Sequence, residues 1–175
     1  MTEITKKCCF TGHRPKDLPW GYNEESLKCR SFKVLLKNEL IHAIKNGFSY
    51  FITGMAEGFD TIALEVLLEL KEEGNNIFIE GAIPCIGQEL KWNDASQKRY
   101  KENLKKLDKV TVLSNTYTSS CMLERNDYML SQSSLVIACY SGGYGGTSST
   151  IKKAKKLGHK LIILNPKEII EQKKA

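Results

Sequence analysis

The sequence lacks any apolar run approaching the roughly 18 residues that a membrane-crossing helix requires. Its first residues, Met1-Thr2-Glu3-Ile4-Thr5-Lys6-Lys7, include an acid and have no long apolar core, so a signal peptide is not expected. None of the six cysteines, at 8, 9, 29, 85, 121 and 139, belongs to a Cys-x-x-Cys pair, and several lie within apolar runs. This argues against a disulfide framework or a zinc site and predicts reduced, mostly buried thiols in a cytoplasmic protein. The other metal-ligating residue types are too scattered to propose a metal site. Internal repeats, low-complexity tracts and linkers are absent as well. The glycine-rich stretch lacks the Gly-Lys-Ser/Thr ending of a Walker-type loop and the G-x-G-x-x-G spacing of a dinucleotide fingerprint.

What remains is ordinary for one globular domain. The chain has 175 residues, 41% apolar and 26% charged, with the core expected over about 7–166. Its formal charge is +6, and basic residues gather at Lys152-Lys153, Lys155-Lys156, Lys160 and Lys173-Lys174. Such a cluster suits a nucleic-acid surface. Charge patterning favours a solvated helix face and tail, and no aromatic residues interleave with the run.

Short continuous apolar runs alternate with helical periodicity along the chain. Strands are predicted over 8–11, 50–53, from 77 to about 84, 109–113, 135–139 and 161–164. Helices are predicted from about 23 to 46, from 60 to 73, from 88 to about 107, over 121–132 and 150–157, and again from Pro166. Uninterrupted apolar strands are those of a parallel sheet buried on both faces. The fold class is therefore α/β: a single Rossmann-like, doubly wound, mainly parallel sheet with helices on both faces. Sites in such sheets lie beyond the carboxyl ends of the strands.

That rule gathers three loops. In Ser141-Gly142-Gly143-Tyr144-Gly145-Gly146-Thr147-Ser148, four glycines bare the backbone N–H groups ahead of a helix, which suits a phosphate. Thr147, Ser148 and Ser149 read as N-cap residues or hydroxyl donors to that phosphate. Thr11-Gly12-His13-Arg14 offers a hydroxyl, an arginine fork and an imidazole suited to acid/base work. Thr53-Gly54-Met55-Ala56-Glu57-Gly58-Phe59-Asp60 is a second glycine-bearing turn; it would lie against a ribose or base, with Glu57 on a sugar hydroxyl and Asp60 capping the next helix. Arg125 and Asn126 follow at the start of a helix, with Arg125 directed either to the glycine loop or to a surface pairing with Glu124 or Asp127. Trp92, Gln97, Arg99 and Tyr100 are further candidates for a pocket wall, the two aromatics more readily as core. Cys85 with His13 is the weakest arrangement, because no third group orients the pair.

These motifs carry a resemblance. Cys9-Phe10-Thr11-Gly12-His13-Arg14-Pro15, Thr53-Gly54-Met55-Ala56-x-Gly58-x-Asp60, Pro84-Cys85, Gln97-x-Arg99-Tyr100, Arg125-Asn126-x-Tyr128-Met129 and the 141–147 loop resemble the YpsA-like family of the SLOG superfamily. The resemblance implies a Rossmann-like fold in a bacterial family that binds or senses nucleotide-derived ligands such as NAD or ADP-ribose. Arg125-Asn126-x-x-Met129 and the glycine loop are also distantly similar to the cytokinin-activating phosphoribohydrolases, which cleave the N-glycosidic bond of a nucleoside monophosphate. Thr150 stands where those enzymes carry a catalytic glutamate, so an N-glycosidase would have to rely on Arg125 and Glu57. The same superfamily includes DNA-processing protein A, a single-strand DNA binder.

The leading expectation is a nucleotide-binding protein whose ligand is held by Thr11, Gly12, His13, Arg14, Gly54, Met55, Glu57, Gly58, Asn126, Gly142, Gly143, Gly145, Gly146, Thr147 and Ser148. An N-glycosidic hydrolase and a single-strand nucleic-acid binder are the alternatives. No membrane partner is expected, and self-association is expected by analogy with related proteins.

Overall fold

A computed structural model describes residues 4–171. The basic pair Lys173-Lys174 and the first three residues lie outside that range. Six strands form one sheet: β1 (Lys6–Gly12), β2 (Phe48–Thr53), β3 (Phe78–Ile83), β4 (Lys109–Val112), β5 (Leu135–Cys139) and β6 (Lys160–Leu164). Their order is β4-β3-β2-β1-β5-β6, and every pairing is parallel. Five α-helices connect them: α1 (Leu27–Lys45), α2 (Phe59–Glu72), α3 (Asp94–Leu104), α4 (Cys121–Gln132) and α5 (Gly146–Leu157).

The period-2 alternation of the central strands assigns each helix to a face. Cys8 and Phe10 of β1 pack with Phe51, Ile79 and Ile137 against α1 and α2. Cys9 packs with Ile52, Ala82 and Val136 against Met129 and Leu130 of α4 and Ala154 of α5. The first face is the thicker. Its centre is an aromatic cluster in which the Phe10 ring lies 6.3 Å from Phe51 and 6.1 Å from Phe59.

The chain builds β1 to β4 outward in one direction. It then returns through α4 to place β5 on the other side of β1. The strand order therefore reverses between β1 and β5, and their carboxyl ends diverge into a crevice.

Four helix expectations are corrected. The helix expected from 88 begins at Asp94, because Gly87 adopts φ +84° and the Asn93 side chain caps the Ser96 N–H at 2.8 Å. The helix expected from 150 begins four residues earlier, at Gly146. Pro166 opens a turn instead of a helix, because the Asn165 carboxamide accepts from the Lys167 N–H at 3.0 Å. The first helix starts at Leu27, capped by the Ser26 hydroxyl on the Cys29 N–H.

Candidate functional site

A cleft of about 710 Å³ opens at the crevice between β1 and β5. One wall is the end of β1 and the loop after it, from Thr11 to Pro19; the other is the glycine loop, from Tyr140 to Ser148; Asp60, Met122, Arg125 and Asn126 contribute from α2 and α4.

The two walls are tied together by His13. Its backbone N–H donates to the Cys139 carbonyl at 3.2 Å, and its Nε2 accepts the Ser141 N–H at 2.9 Å. The Ser141 hydroxyl lies 3.0 Å from the same nitrogen. Nε2 therefore carries a lone pair and the ring is neutral, with its proton on Nδ1. Burial lowers the His13 pKa, Asp17 opposes this, and Lys167 adds to it. The imidazole is thus engaged with Ser141, and Cys85 faces the Cys121 thiol instead.

The glycine loop leaves its backbone bare. Gly142, Gly143 and Gly145 adopt φ of +106°, +95° and +146°, a region that side chains rarely enter, and a Cβ at any of the three would meet nothing within 4 Å. The N-cap of α5 is Gly145, so Thr147, Ser148 and Ser149 belong to its first turn and do not cap it. The Ser149 N–H donates to the Gly145 carbonyl at 3.0 Å, while those of Gly146, Thr147 and Ser148 have no backbone acceptor among the described residues. The first turn carries no acidic side chain. These amides form the positive end of the helix, open to the cleft. The Ser148 and Thr11 hydroxyls belong to residues each 8% exposed, line the cleft and have no hydrogen-bond partner among the described residues.

Charge around the cleft is unbalanced. Arg14, Lys16, Arg125 and Lys167 line it against the carboxylates of Asp17 and Asp60. The Arg14 guanidinium makes no hydrogen bond or ion pair among the described residues, whereas Arg125 is held tightly. It is 4% exposed, with Nη1 on the Gly54 carbonyl at 2.6 Å and Nε on the Asn126 carboxamide at 2.8 Å. It therefore reaches inward, and neither Glu124 nor Asp127 pairs with it. Burial lowers its pKa, partly offset by Asp60.

The second glycine turn is placed differently. Gly54 passes beneath Arg125, and Met55 is buried in the core at φ +60°. Gly58, at φ +85°, is the N-cap of α2, where the Phe59 N–H reaches the His13 carbonyl at 3.1 Å. Asp60 lies inside the helix instead of capping it, with Oδ2 accepting the Ala56 N–H at 3.2 Å. Burial raises its pKa, while Arg125 and Arg14 hold it back. Gly54, Met55, Glu57 and Gly58 do not line the cleft. Glu57 accepts from the Tyr22 hydroxyl at 3.3 Å in a smaller crevice with Trp20, Trp92, Arg99 and Tyr100. Gln97 bonds the Leu90 and Trp92 carbonyls. The Thr150 hydroxyl turns back onto the Gly146 carbonyl at 2.9 Å.

Sequence reasoning missed Lys16, Tyr140 and Lys167 as lining residues, and it underused Asp60. Lys167 carried a usable signal: it follows β6, whose carboxyl end adjoins the glycine loop. Among the described residues no group of His, Cys, Asp or Glu could hold a metal ion, and no helix is long and apolar enough to cross a membrane.

Comparisons with known proteins agree with this architecture. The chain is 31% identical over 158 residues to the SPbeta prophage-derived protein YoqJ of Bacillus subtilis, covering 82% of this chain and 91% of that one. It is 26% identical over 157 residues to a UPF0398 protein of Brevibacillus brevis, covering 87% and 83%. Among solved structures, DNA processing protein A from Streptococcus pneumoniae superposes with a TM-score of 0.58 at 17% identity, over 91% of this chain and 50% of that one. The protein of the same name from Helicobacter pylori, described for its single-stranded DNA binding mode, gives 0.58 at 21% identity, over 90% and 64%. The chain thus spans half to two thirds of those structures, and the likeness is one of fold. The family model described as the YspA SLOG family matches residues 8–163, nearly all of the described chain. The protein belongs to the YspA SLOG family.

Proposed function

We propose that the cleft binds a nucleotide-derived small molecule of the NAD, ADP-ribose or nucleoside phosphate class, in a cytoplasmic protein. The open amino end of α5 carries this reading, with Gly146, Thr147 and Ser148 offering N–H groups beside the unpartnered Ser148 and Thr11 hydroxyls. Arg14, whose guanidinium makes no hydrogen bond or ion pair among the described residues, supplies a bidentate fork for phosphate at the opposite wall. His13 holds the glycine loop in place through Ser141. The six free cysteines suit a reducing compartment. Thr150 supplies no carboxylate to a glycosidic bond, so the reading is one of binding, not cleavage.

Native mass spectrometry and titration calorimetry with NAD, ADP-ribose and AMP test it. Arg14→Ala should weaken binding by about tenfold or more, the scale of a charged hydrogen bond. Gly146→Asp puts a carboxylate into the anion site at a position outside the left-handed region, where a Cβ meets no neighbour, and should abolish binding in a folded protein. Unchanged affinity in both variants would overturn the assignment.

A second reading rests on Tyr144. Its side chain is fully exposed at the tip of the loop, with the Lys152 ammonium 6.0 Å from the ring centroid. An exposed ring beside a cation is a stacking platform for single-stranded nucleic acid, the ligand named for the Helicobacter pylori structure. Affinity for an oligonucleotide that falls steeply with salt, and is lost in Tyr144→Ala, would favour it over the small molecule.

A further inference from the structure

The cleft floor holds a carboxylate that phosphate binding leaves unused. Asp60 is 7% exposed and lines the cleft, and its position is fixed by its surroundings. It sits in the first turn of α2; its Oδ2 accepts the Ala56 N–H, and its carbonyl accepts from the Thr53 hydroxyl at 3.5 Å. A Cβ built on Gly54 would lie 2.5 Å from Arg125 Nη1 and 2.9 Å from Asp60 Oδ2, so the guanidinium and the carboxylate converge on that bare backbone without forming a direct ion pair. Oδ1 has no hydrogen-bond partner among the described residues.

A buried carboxylate in a basic cleft makes a specific chemical demand. It repels phosphate, so the phosphate belongs at the glycine loop and not on this floor. It accepts hydrogen bonds and donates none, so the part of the ligand that reaches it must be uncharged and rich in donors. Oδ1 is the oxygen left open to the cleft, and a ligand that covers it without donating a hydrogen bond would strand it, which gives a matching donor high selectivity. The cis-diol of a ribose meets that demand, and in a nucleotide it lies on the same small molecule as the phosphate. Asp17 is an exposed rim residue, and Glu57 is turned to Tyr22, so neither competes for this role.

Resting on the phosphate-binding reading above, we infer that Asp60 accepts hydrogen bonds from the ribose hydroxyls of a ribonucleoside phosphate, and so makes the cleft select ribose over deoxyribose. Asn126 also lines the cleft, where its carboxamide oxygen accepts from Arg125 Nε. A DNA strand, which lacks the 2′-hydroxyl, would leave part of this acceptor unfilled.

The test is calorimetric titration of the full chain with ADP, 2′-deoxy-ADP, 2′,3′-dideoxy-ADP and inorganic pyrophosphate. ADP should bind most tightly and dideoxy-ADP about ten- to a hundredfold more weakly, the range for hydrogen bonds to a charged group. Asp60→Asn keeps the shape and an acceptor for Ala56 while removing the charge; there the difference between ADP and its dideoxy analogue should collapse, while pyrophosphate affinity is unchanged or higher because the repelling charge is gone. Circular dichroism establishes whether that variant folds, and if it does not, the wild-type ligand series decides alone. Equal wild-type affinity for ADP and dideoxy-ADP overturns the role of Asp60 and leaves phosphate binding standing. Failure of all four ligands, pyrophosphate included, overturns both.

Discussion

His13 couples proton uptake to the geometry of the glycine loop. Its Nε2 must stay unprotonated to accept the Ser141 N–H, and burial holds its pKa below the usual imidazole value of about 6.5. The unfolded chain therefore binds this proton more readily than the folded one. The stability contributed by the contact is fully present above about pH 6.5 and is lost as pH falls through the folded pKa. Urea midpoints measured from pH 7 to pH 5 should fall less steeply in His13→Gln, whose carboxamide oxygen can replace Nε2 without titrating. Parallel slopes in the two proteins would exclude His13 as the source. Gly54, by contrast, is constrained by space alone. Gly54→Ala drives a methyl into Arg125 and Asp60 and should cost about 1–3 kcal/mol in denaturant unfolding, as overpacking does.

Among the elements, α3 depends most on charge. Its apolar contribution is small, with Tyr100 as its large buried side chain. Arg99 ties it to Glu24, ahead of α1, at 2.5 Å and to Glu65 of α2, and Lys33 joins Glu24 at 3.0 Å. Burial would raise the Glu24 pKa, but Arg99 and Lys33 outweigh it and hold it low. Arg99→Ala should cost about 1 kcal/mol after allowance for its partial exposure, and high salt should shrink that loss. Hydrogen exchange should quicken in α3 before α2.

Legibility from the sequence also varied by element. β5 and α4 fall at the predicted boundaries because an apolar run of five, and a periodic stretch before it, are bounded by serines and glycine. The helix after β3 was overextended because Gln88 and Leu90 fit helical spacing. Nothing in that spacing reveals that Gln88 turns to the Gly54 and Met55 carbonyls. Asp60 looked like a cap because aspartate caps helices well. The actual cap, Gly58, is selected by a contact with His13 that is distant in the sequence. Loops at strand ends could thus be assigned to one edge from sequence, whereas the walls that each side chain faces depended on partners far along the chain.

At the scale of the whole molecule the sheet is graded. β1 lies at its centre, pairing β2 and β5, with Cys8, Cys9 and Phe10 essentially unexposed. The edges are thinner: β4 is largely exposed along its length, and β6 is buried only at Leu164. Amide exchange should be slowest in β1 and β5 and fastest in β4 and β6. Uniform protection across the six strands would contradict this gradient.

The reversal of strand order also has a consequence in time. The cleft's two walls meet through His13 and Ser141, 128 positions apart in the chain. As a ribosome releases the chain from its amino end, β1 to β4 can assemble while β5 is still being made, and the β5 side of β1 stays open. Docking β5 closes a long loop, a step that such topologies complete slowly. The cleft between β1 and β5 is therefore completed late and in one step, after four of the six strands have already assembled.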